Sequence, residues 1–215
     1  MLTRSQLKKM QAKNNCRIIF YDLETSGFNP YHHEITEIGA TDNFGNSFNV
    51  LMKNTQPLSK KVVQITGITD QLLKSKGVKQ KTGLQRFHKF TNQYGDLYGN
   101  GKTYLIAHNN NGFDYPFIKH QFQKHGLTLN PNLKFIDSLR LCQLLLPQRN
   151  YHSLRFMCEY FNVENEATHR AHGDVKALSE IFSVLCKIFK SQYKLQPECK
   201  MELMDEIQRK LECPF

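Results

Sequence analysis

Four acidic residues lie at positions where a merely stable fold favours apolar side chains: Asp22, Glu24, Asp114 and Asp174. The first two follow an apolar run at residues 17–21, which predicts a buried strand. Because side chains alternate along a strand, Asp22 and Glu24 point to the same side as Phe20. Two like charges are therefore expected on one face of the predicted sheet.

The other two acids begin predicted helices. Asp114 lies three and four residues before Phe117 and Ile118, so it belongs to the apolar stripe of its helix. Asp174 precedes Leu178 by four residues and repeats the arrangement. A single aspartate of this kind is more often a helix cap or a favourable charge in the first turn.

The four acids together predict a metal site. Clustered buried carboxylates repel one another and lose hydration, which leaves them protonated unless cations neutralise them. Hard oxygen ligands suit Mg²⁺ or Mn²⁺. Two such ions about 3.5 to 4 Å apart can hold the attacking and the leaving oxygen of a phosphoryl transfer.

The elements that must position these acids predict an α/β fold. Strands are expected at residues 17–21, 35–41, 47–52, 103–107 and 134–136. Helices are expected after Thr69 and at residues 84–94, 114–125, 138–145, 153–161, 173–192 and 198–211. Three strands followed by strands that alternate with helices imply a mixed five-stranded sheet flanked by helices. Residues 193–215 form a helical extension that either packs on the same domain or binds a protein partner.

Charge is concentrated in two segments of a chain whose net charge is +10. Residues 1–17 contain five Lys or Arg and no acid, and residues 53–95 contain nine against Asp70 alone. Such segments are typical of a solvated basic face or of a nucleic-acid interface, and charge alone does not separate the two.

Cysteine spacing and hydropathy bear on location. The six cysteines include no Cys-x-x-Cys pair, which favours free intracellular thiols over a disulfide framework or a zinc site. No apolar run reaches membrane-spanning length, and the first residues lack the apolar region of a secretory signal. We expect an intracellular protein of the nucleus or cytoplasm, not secreted and without a membrane partner.

Three segments resemble the signature motifs of the DEDDh exonucleases: IIFYDLETSG at residues 18–27, AHNNNGFD at 107–114 and HRAHGD at 169–174. His169 precedes Asp174 by five positions, as in that family, and Arg170 stands where the sister subgroup has tyrosine. The resemblance covers residues 17–185 and includes ITGIT at 65–69. The chain is also similar to the branch that contains the three-prime repair exonucleases and the exonuclease-like domain of the promyelocytic leukaemia protein.

The resemblance implies an RNase H-like exonuclease domain at residues 1–192 that removes nucleoside 5′-monophosphates from 3′ ends. It implies two Mg²⁺ ions, with Mn²⁺ as a substitute, held by Asp22, Glu24, Asp114 and Asp174. It makes His169 the general base, because a neutral imidazole accepts a proton near pH 7. An isolated histidine is more often a surface or capping residue. The five-position spacing between His169 and Asp174 favours the general-base role instead.

The resemblance also implies contacts with the terminal nucleotide at Leu23, Thr25 and Ser26. Tyr115 is a further candidate through base stacking, and His108 through packing or a backbone contact. Single-stranded 3′ ends are the expected substrate, with DNA favoured over RNA on the branch resemblance alone, since nothing obvious reads a 2′-hydroxyl. The alternative is a catalytically silent nucleic-acid-binding or scaffold protein on the same fold.

Overall fold

The computed structural model of the chain describes residues 16–93, 102–165, 171–197 and 199–212. Its sheet has five strands: β1 (Arg17–Thr25), β2 (Ile35–Asp42), β3 (Ser47–Leu51), β4 (Thr103–Ala107) and β5 (Leu133–Asp137). Their order is β3-β2-β1-β4-β5. β1 pairs antiparallel with β2 and parallel with β4, β2 pairs antiparallel with β3, and β4 pairs parallel with β5. The predicted α/β class with a mixed five-stranded sheet is confirmed.

Eight helices occur in the described part of the chain: α1 (Lys60–Thr66), α2 (Asp70–Lys76), α3 (Gln80–Asn92), α4 (Asp114–Lys124), α5 (Ser138–Leu145), α6 (Leu154–Phe161), α7 (Ala171–Gln192) and α8 (Lys200–Glu212). Only α1 is missing from the predicted elements. It begins after Ser59, whose hydroxyl accepts a hydrogen bond from the backbone N–H of Val62, and ends at Gly67 in the left-handed region. Its only buried residue is Thr66, so it carries little hydrophobic periodicity.

The two faces of the sheet carry separate apolar cores. On β1, Ile18 and Phe20 belong to the core that contains α5, α6, α7 and α8, whereas Ile19 and Tyr21 belong to the core that contains α3 and α4. This is the alternation expected of a strand that is covered on both sides. The side of β1 that carries residues 18 and 20 therefore faces α7.

A glycine in β2 determines how closely α7 approaches the sheet. A Cβ atom at Gly39 would lie 2.6 Å from the backbone carbonyl carbon of Ala171, the first residue of α7. That distance is shorter than any ordinary contact, and the group that would be struck is backbone. Gly39 therefore lets the first turn of α7 lie directly on the sheet.

The C-terminal helix α8 lies on the same apolar core as α7. It buries Leu203, Met204, Ile207 and Leu211. At the other edge of the helix, Asp205 accepts hydrogen bonds from Lys102 at 2.7 Å and from the Tyr104 hydroxyl at 2.5 Å. None of the described helices has both the length and the apolar composition that a membrane span requires.

Replacing Gly39 with alanine tests the close approach of α7. We expect Gly39→Ala to lower the free energy of unfolding by about 1–3 kcal/mol, because the new methyl group overpacks a rigid contact. Urea unfolding followed by circular dichroism measures the change.

Gly83→Ala is the matched control. A Cβ at Gly83 would strike Met52, but the atoms struck are the sulfur and Cγ of a flexible side chain. In the interior of a helix such as α3, alanine is also more stabilising than glycine by up to about 1 kcal/mol. Equal losses of stability in the two variants would contradict the proposed role of Gly39.

Candidate active site

Two of the four acids lie at the C-terminal end of β1. Asp22 pairs with Gly39 of β2 and Glu24 pairs with Glu37, and the register shifts between Glu24 and Thr25. Asp22 remains partly accessible, whereas Glu24 is 9% exposed. Both carboxylates are on the side of β1 that faces α7, as the strand alternation predicts.

The third acid comes from α7. Asp174 lies in the first turn of that helix and is 9% exposed. One carboxylate oxygen from each of Asp22, Glu24 and Asp174 lies within 4.8 Å of the others. Asn165 donates a hydrogen bond from Nδ2 to Asp174 Oδ1 at 2.7 Å, and this contact orients the carboxylate. Asn165 is not among the predicted site residues, because a lone asparagine carries no recognisable spacing.

The fourth acid approaches from the opposite face of the sheet. Asp114 is the first residue of α4 and is 1% exposed. Its Oδ1 atom is fully buried and has no hydrogen-bond partner among the described residues. Its charge acts on Asp22, although Asp114 is not one of the three acids whose oxygens lie within 4.8 Å of one another.

Burial and mutual repulsion disfavour ionised carboxylates at this site. Burial raises the pKa of Asp22 well above its usual value, and the charges of Asp114, Glu24 and Asp174 raise it further. Burial also raises the pKa of Asp114, and backbone N–H groups at Asp114 and Leu23 act in the opposite direction. Neutralisation by a cation would relieve this repulsion.

The donor set fits a divalent cation. The three closest acids offer hard oxygen atoms at a mutual distance that one ion can bridge, and Asp114 contributes a buried oxygen without a partner. An unsatisfied buried carboxylate oxygen is costly in an apo protein, and a metal ion or its bound water satisfies it.

Asp22, Glu24 and Asp174 form one wall of a pocket of about 330 Å³. The remaining lining comes from the end of β1 and the turn after it, from α1 and from the residue before α4: Leu23, Thr25, Gly27, Phe28, Val62, Ile65, Thr66 and Phe113. The pocket therefore joins an anionic wall to an apolar one. α1, absent from the predicted elements, supplies part of the apolar wall.

Phe28 lines both this pocket and a second one. Its side chain is 77% exposed, and its ring lies 6.4 Å from the Phe113 ring, measured between centroids. The second pocket has a volume of about 540 Å³, and its lining includes Phe28, Tyr31 and Lys61. An exposed aromatic ring between two cavities is suited to contact with a planar base.

The predicted contacts of the first motif lie at these pockets. Leu23 and Thr25 line the smaller pocket, and Ser26 lines the larger. The Thr25 hydroxyl donates to the carbonyl of Gly27 at 2.6 Å, and the Ser26 hydroxyl accepts from the backbone N–H of Glu34 at 2.9 Å. Both hydroxyls therefore shape the turn that carries Phe28.

His108 and Tyr115 are placed elsewhere, and neither lines these two pockets. Because a carbonyl only accepts, His108 donates from Nε2 to the carbonyl of His152 at 2.7 Å, and its Nδ1 then accepts from the Ser138 hydroxyl at 2.9 Å. The Tyr115 ring packs against Phe135 at 4.5 Å between centroids. Substrate contact by either residue stays a prediction, and both nitrogens of His108 already have partners within the protein.

His169 lies outside the described residues. Its predicted role as a general base therefore stays a prediction. The described residues on either side are Asn165, which contacts Asp174, and the start of α7.

Comparison with known proteins identifies the family. Residues 19–182 match the model of the RNase_T family, described as Exonuclease. The PolC-type DNA polymerase III of Mycoplasma genitalium is 26% identical over 226 residues, which cover 96% of this chain and 15% of that protein. The corresponding protein of Bacillus cereus is 31% identical over 175 residues, which cover 79% of this chain and 11% of that protein. The chain thus spans only about one seventh of these relatives or less.

Solved structures of exonuclease I have a similar fold. E. coli exonuclease I in complex with a dT13 oligonucleotide gives a TM-score of 0.70 at 20% identity, covering 83% of this chain and 43% of that one. Exonuclease I from Methylocaldum szegediense gives a TM-score of 0.66 at 18% identity, and the match covers 89% of this chain and 42% of that one. These matches show the RNase H-like fold. The family match over residues 19–182 establishes that the chain belongs to the RNase_T exonuclease family.

Proposed function

We propose that this chain is a Mg²⁺-dependent DEDDh-type 3′→5′ exonuclease that releases nucleoside 5′-monophosphates from single-stranded ends. The observation that carries the proposal is the convergence of Asp22, Glu24 and Asp174 beside one pocket. The charge of Asp114, from the start of α4, also acts on Asp22. A structural role alone does not account for this arrangement, because the repulsion at Asp22 opposes folding of the metal-free protein.

Two Mg²⁺ ions would be held by Asp22, Glu24, Asp114 and Asp174, with Mn²⁺ as a substitute. Asp22 has the central place because each of the other three acids acts on it electrostatically. When bound, the ions supply an activated water molecule and stabilise negative charge on the phosphoryl group.

The protein's own groups orient the reacting atoms. Asn165 holds the Asp174 carboxylate in one orientation through its 2.7 Å hydrogen bond. His169, five positions before Asp174, would accept the proton of the attacking water as general base. The leaving 3′ oxygen then departs with the shortened strand, and the released nucleotide keeps the 5′-phosphate.

The pocket of about 330 Å³ would hold the terminal nucleoside. Its apolar lining at Val62, Ile65 and Phe113 suits a base, while its acidic wall lies beside the scissile phosphate. Phe28 would contact the neighbouring base and separate it from the terminal one. A pocket bounded in this way accepts a strand end more readily than a continuous strand, which supports exonucleolytic action.

Exposed basic residues would contact the incoming strand. Lys61 of α1 lines the second pocket, and its neighbour Lys60 is exposed, as are Lys79 and Lys81 at the start of α3. Neutralisation of phosphates by such residues makes affinity fall with salt. Single-stranded DNA is the favoured substrate, because the exonuclease I structures of similar fold include complexes with dT13 and dA16 oligonucleotides.

The extension at residues 193–215 is proposed to belong to the same domain. α8 buries four apolar side chains against the core shared with α7, so these residues are not accessible to a protein partner in this arrangement. An intracellular location is likewise proposed, on the cysteine pattern of the sequence.

Metal binding should appear as a gain in stability that depends on Asp22. At a free Mn²⁺ concentration of 100 times its Kd, the unmodified chain should gain about 2.7 kcal/mol. Asp22→Asn should lose most of this gain. Thermal unfolding with and without MnCl₂ measures both effects, and an equal gain in the two proteins would contradict the ligand assignment.

Without a metal ion, the unmodified chain should have no stability advantage over the Asp22→Asn variant. Because the folded pKa of Asp22 is raised, the folded chain binds its proton more tightly than the unfolded chain, and stability falls as pH rises above about 4. At neutral pH with a chelator present, Asp22→Asn should therefore be at least as stable as the unmodified chain. Markedly lower stability of the variant would contradict the burial and repulsion argument.

Exonuclease activity should depend on the acids and start at the 3′ end. With Mg²⁺, an oligonucleotide labelled at its 5′ end should give a ladder of shortened labelled products, and one labelled at its 3′ end should release labelled mononucleotide. Asp22→Asn and Asp174→Asn should each reduce the rate by at least about 100-fold, because transition-state stabilisation is lost.

Glu159→Gln serves as the control for these assays. Glu159 forms an exposed ion pair with Arg155 on α6, and its loss should leave the rate unchanged. If the unmodified chain bound the oligonucleotide but released no nucleotide, the result would instead support a catalytically silent binding or scaffold function.

A further inference from the structure

One buried asparagine connects three elements around the start of α4. Asn110 is 0% exposed. Its Oδ1 accepts a hydrogen bond from the Tyr21 hydroxyl at 2.6 Å, and its Nδ2 donates to the carbonyl of Ile136 at 3.1 Å. Its backbone carbonyl accepts from the N–H of Tyr115 at 2.9 Å. Asn110 therefore joins β1, β5 and the first turn of α4.

The start of α4 depends on this loop because it has no side-chain cap. Phe113 occupies the N-cap position without a side-chain hydrogen bond to the helix. The first turn is held instead by the backbone carbonyls of Asn109 and Asn110, which accept from the N–H groups of Phe113 and Tyr115. Asn109 itself adopts a left-handed conformation with φ of 65°. The side-chain contacts of Asn110 therefore determine where the helix begins.

Asp114 is the first residue of that helix, and its Oδ1 has no partner of its own among the described residues. The carboxyl group instead interacts with the backbone N–H groups of Asp114 and Leu23, so its position depends on the start of α4 and on the end of β1. Tyr21 directly precedes Asp22 on β1, and its ring is buried against Phe87. The hydroxyl of Tyr21 thus connects the strand that carries one acid to the loop that places another.

We propose that Tyr21 and Asn110 are positioning residues that set the Asp114 carboxylate relative to Asp22 for metal binding. The inference rests on the proposed function, because it assumes that these acids share a divalent ion. A second contact supports it: the backbone N–H of Asn111 donates to Asp137 Oδ2 at 2.9 Å, so the loop is also anchored at the end of β5. The network holds the loop from both sides while leaving the Asp114 oxygen free for a ligand.

Tyr104 offers a matched control for a purely structural role of Tyr21. Both tyrosines are 0% exposed, and they lie on neighbouring strands. Tyr104 also donates its hydroxyl to a polar acceptor, Asp205 Oδ1, at 2.5 Å. That contact fastens α8 and has no connection to the acids. Loss of either hydroxyl removes one hydrogen bond of a buried tyrosine, and only the loss at Tyr21 disturbs the loop before Asp114.

The experiment compares Tyr21→Phe with Tyr104→Phe in the full chain. Mn²⁺ binding is measured by calorimetric titration without nucleic acid, and the unfolding midpoint is measured in parallel. Both variants should unfold at lower denaturant concentration. Tyr21→Phe should weaken Mn²⁺ binding by about 10-fold or more, because it removes a hydrogen bond that helps to orient a metal ligand. Tyr104→Phe should leave Mn²⁺ binding unchanged.

Asn110→Ser provides a second route to the same answer. It shortens the side chain and should weaken Mn²⁺ binding to a similar degree. The double variant with Tyr21→Phe should lose little more than the stronger single variant, because the two residues act through one hydrogen bond.

The outcomes separate the inference from the function on which it rests. Unchanged Mn²⁺ binding in Tyr21→Phe and Asn110→Ser, with binding by the unmodified chain, would overturn the positioning role and leave the metal site intact. Equal weakening in Tyr21→Phe and Tyr104→Phe would also overturn it, since general loss of packing would then explain both. Absence of Mn²⁺ binding in the unmodified chain would overturn the proposed function itself.

Discussion

The structure depends on one constraint, the mutual repulsion of the carboxylates around Asp22, which water cannot fully solvate. Charge on Asp22 is opposed by burial and by three other acids, so the apo site is unfavourable wherever all four are ionised. A fold selected for stability alone would place apolar groups there. The protein instead surrounds the site with rigid elements, which keep the acids from moving apart to relieve the repulsion.

Several features of the fold oppose that repulsion without removing the charges. Asp114 and Asp174 each lie in the first turn of a helix, where the partial positive charge of unpaired N–H groups favours an anion. α4 and α7 reach the site from opposite faces of the sheet, so their N-termini converge on the end of β1. Gly39 lets α7 lie close to the sheet, and Asn165 holds Asp174. The cluster is thus maintained by backbone placement more than by direct contacts between acids.

Local patterns in the sequence predict much of this arrangement. Strand alternation places Asp22 and Glu24 on one face, and the helical stripe places Asp174 inward, because both periodicities are properties of a few adjacent residues. Gly39 and Asn110 could not be found in this way, since each contacts residues distant in sequence. Asn165 is close to Asp174 in sequence, but it has no characteristic spacing. α1 is a different case: Ser59 and Gly67 are ordinary capping signals, but the helix is short and nearly all exposed.

The chemistry and the choice of substrate are carried by different parts of the molecule. The acids and the Tyr21 and Asn110 network lie on the central strands and helix starts, where a small displacement is costly because the surroundings are close-packed. The apolar wall comes from the turn at Phe28 and from α1, whose side chains are largely accessible and hold little of the core. Under the proposed function, changes in that wall would alter which strand end is accepted and leave the proposed metal ligands in place.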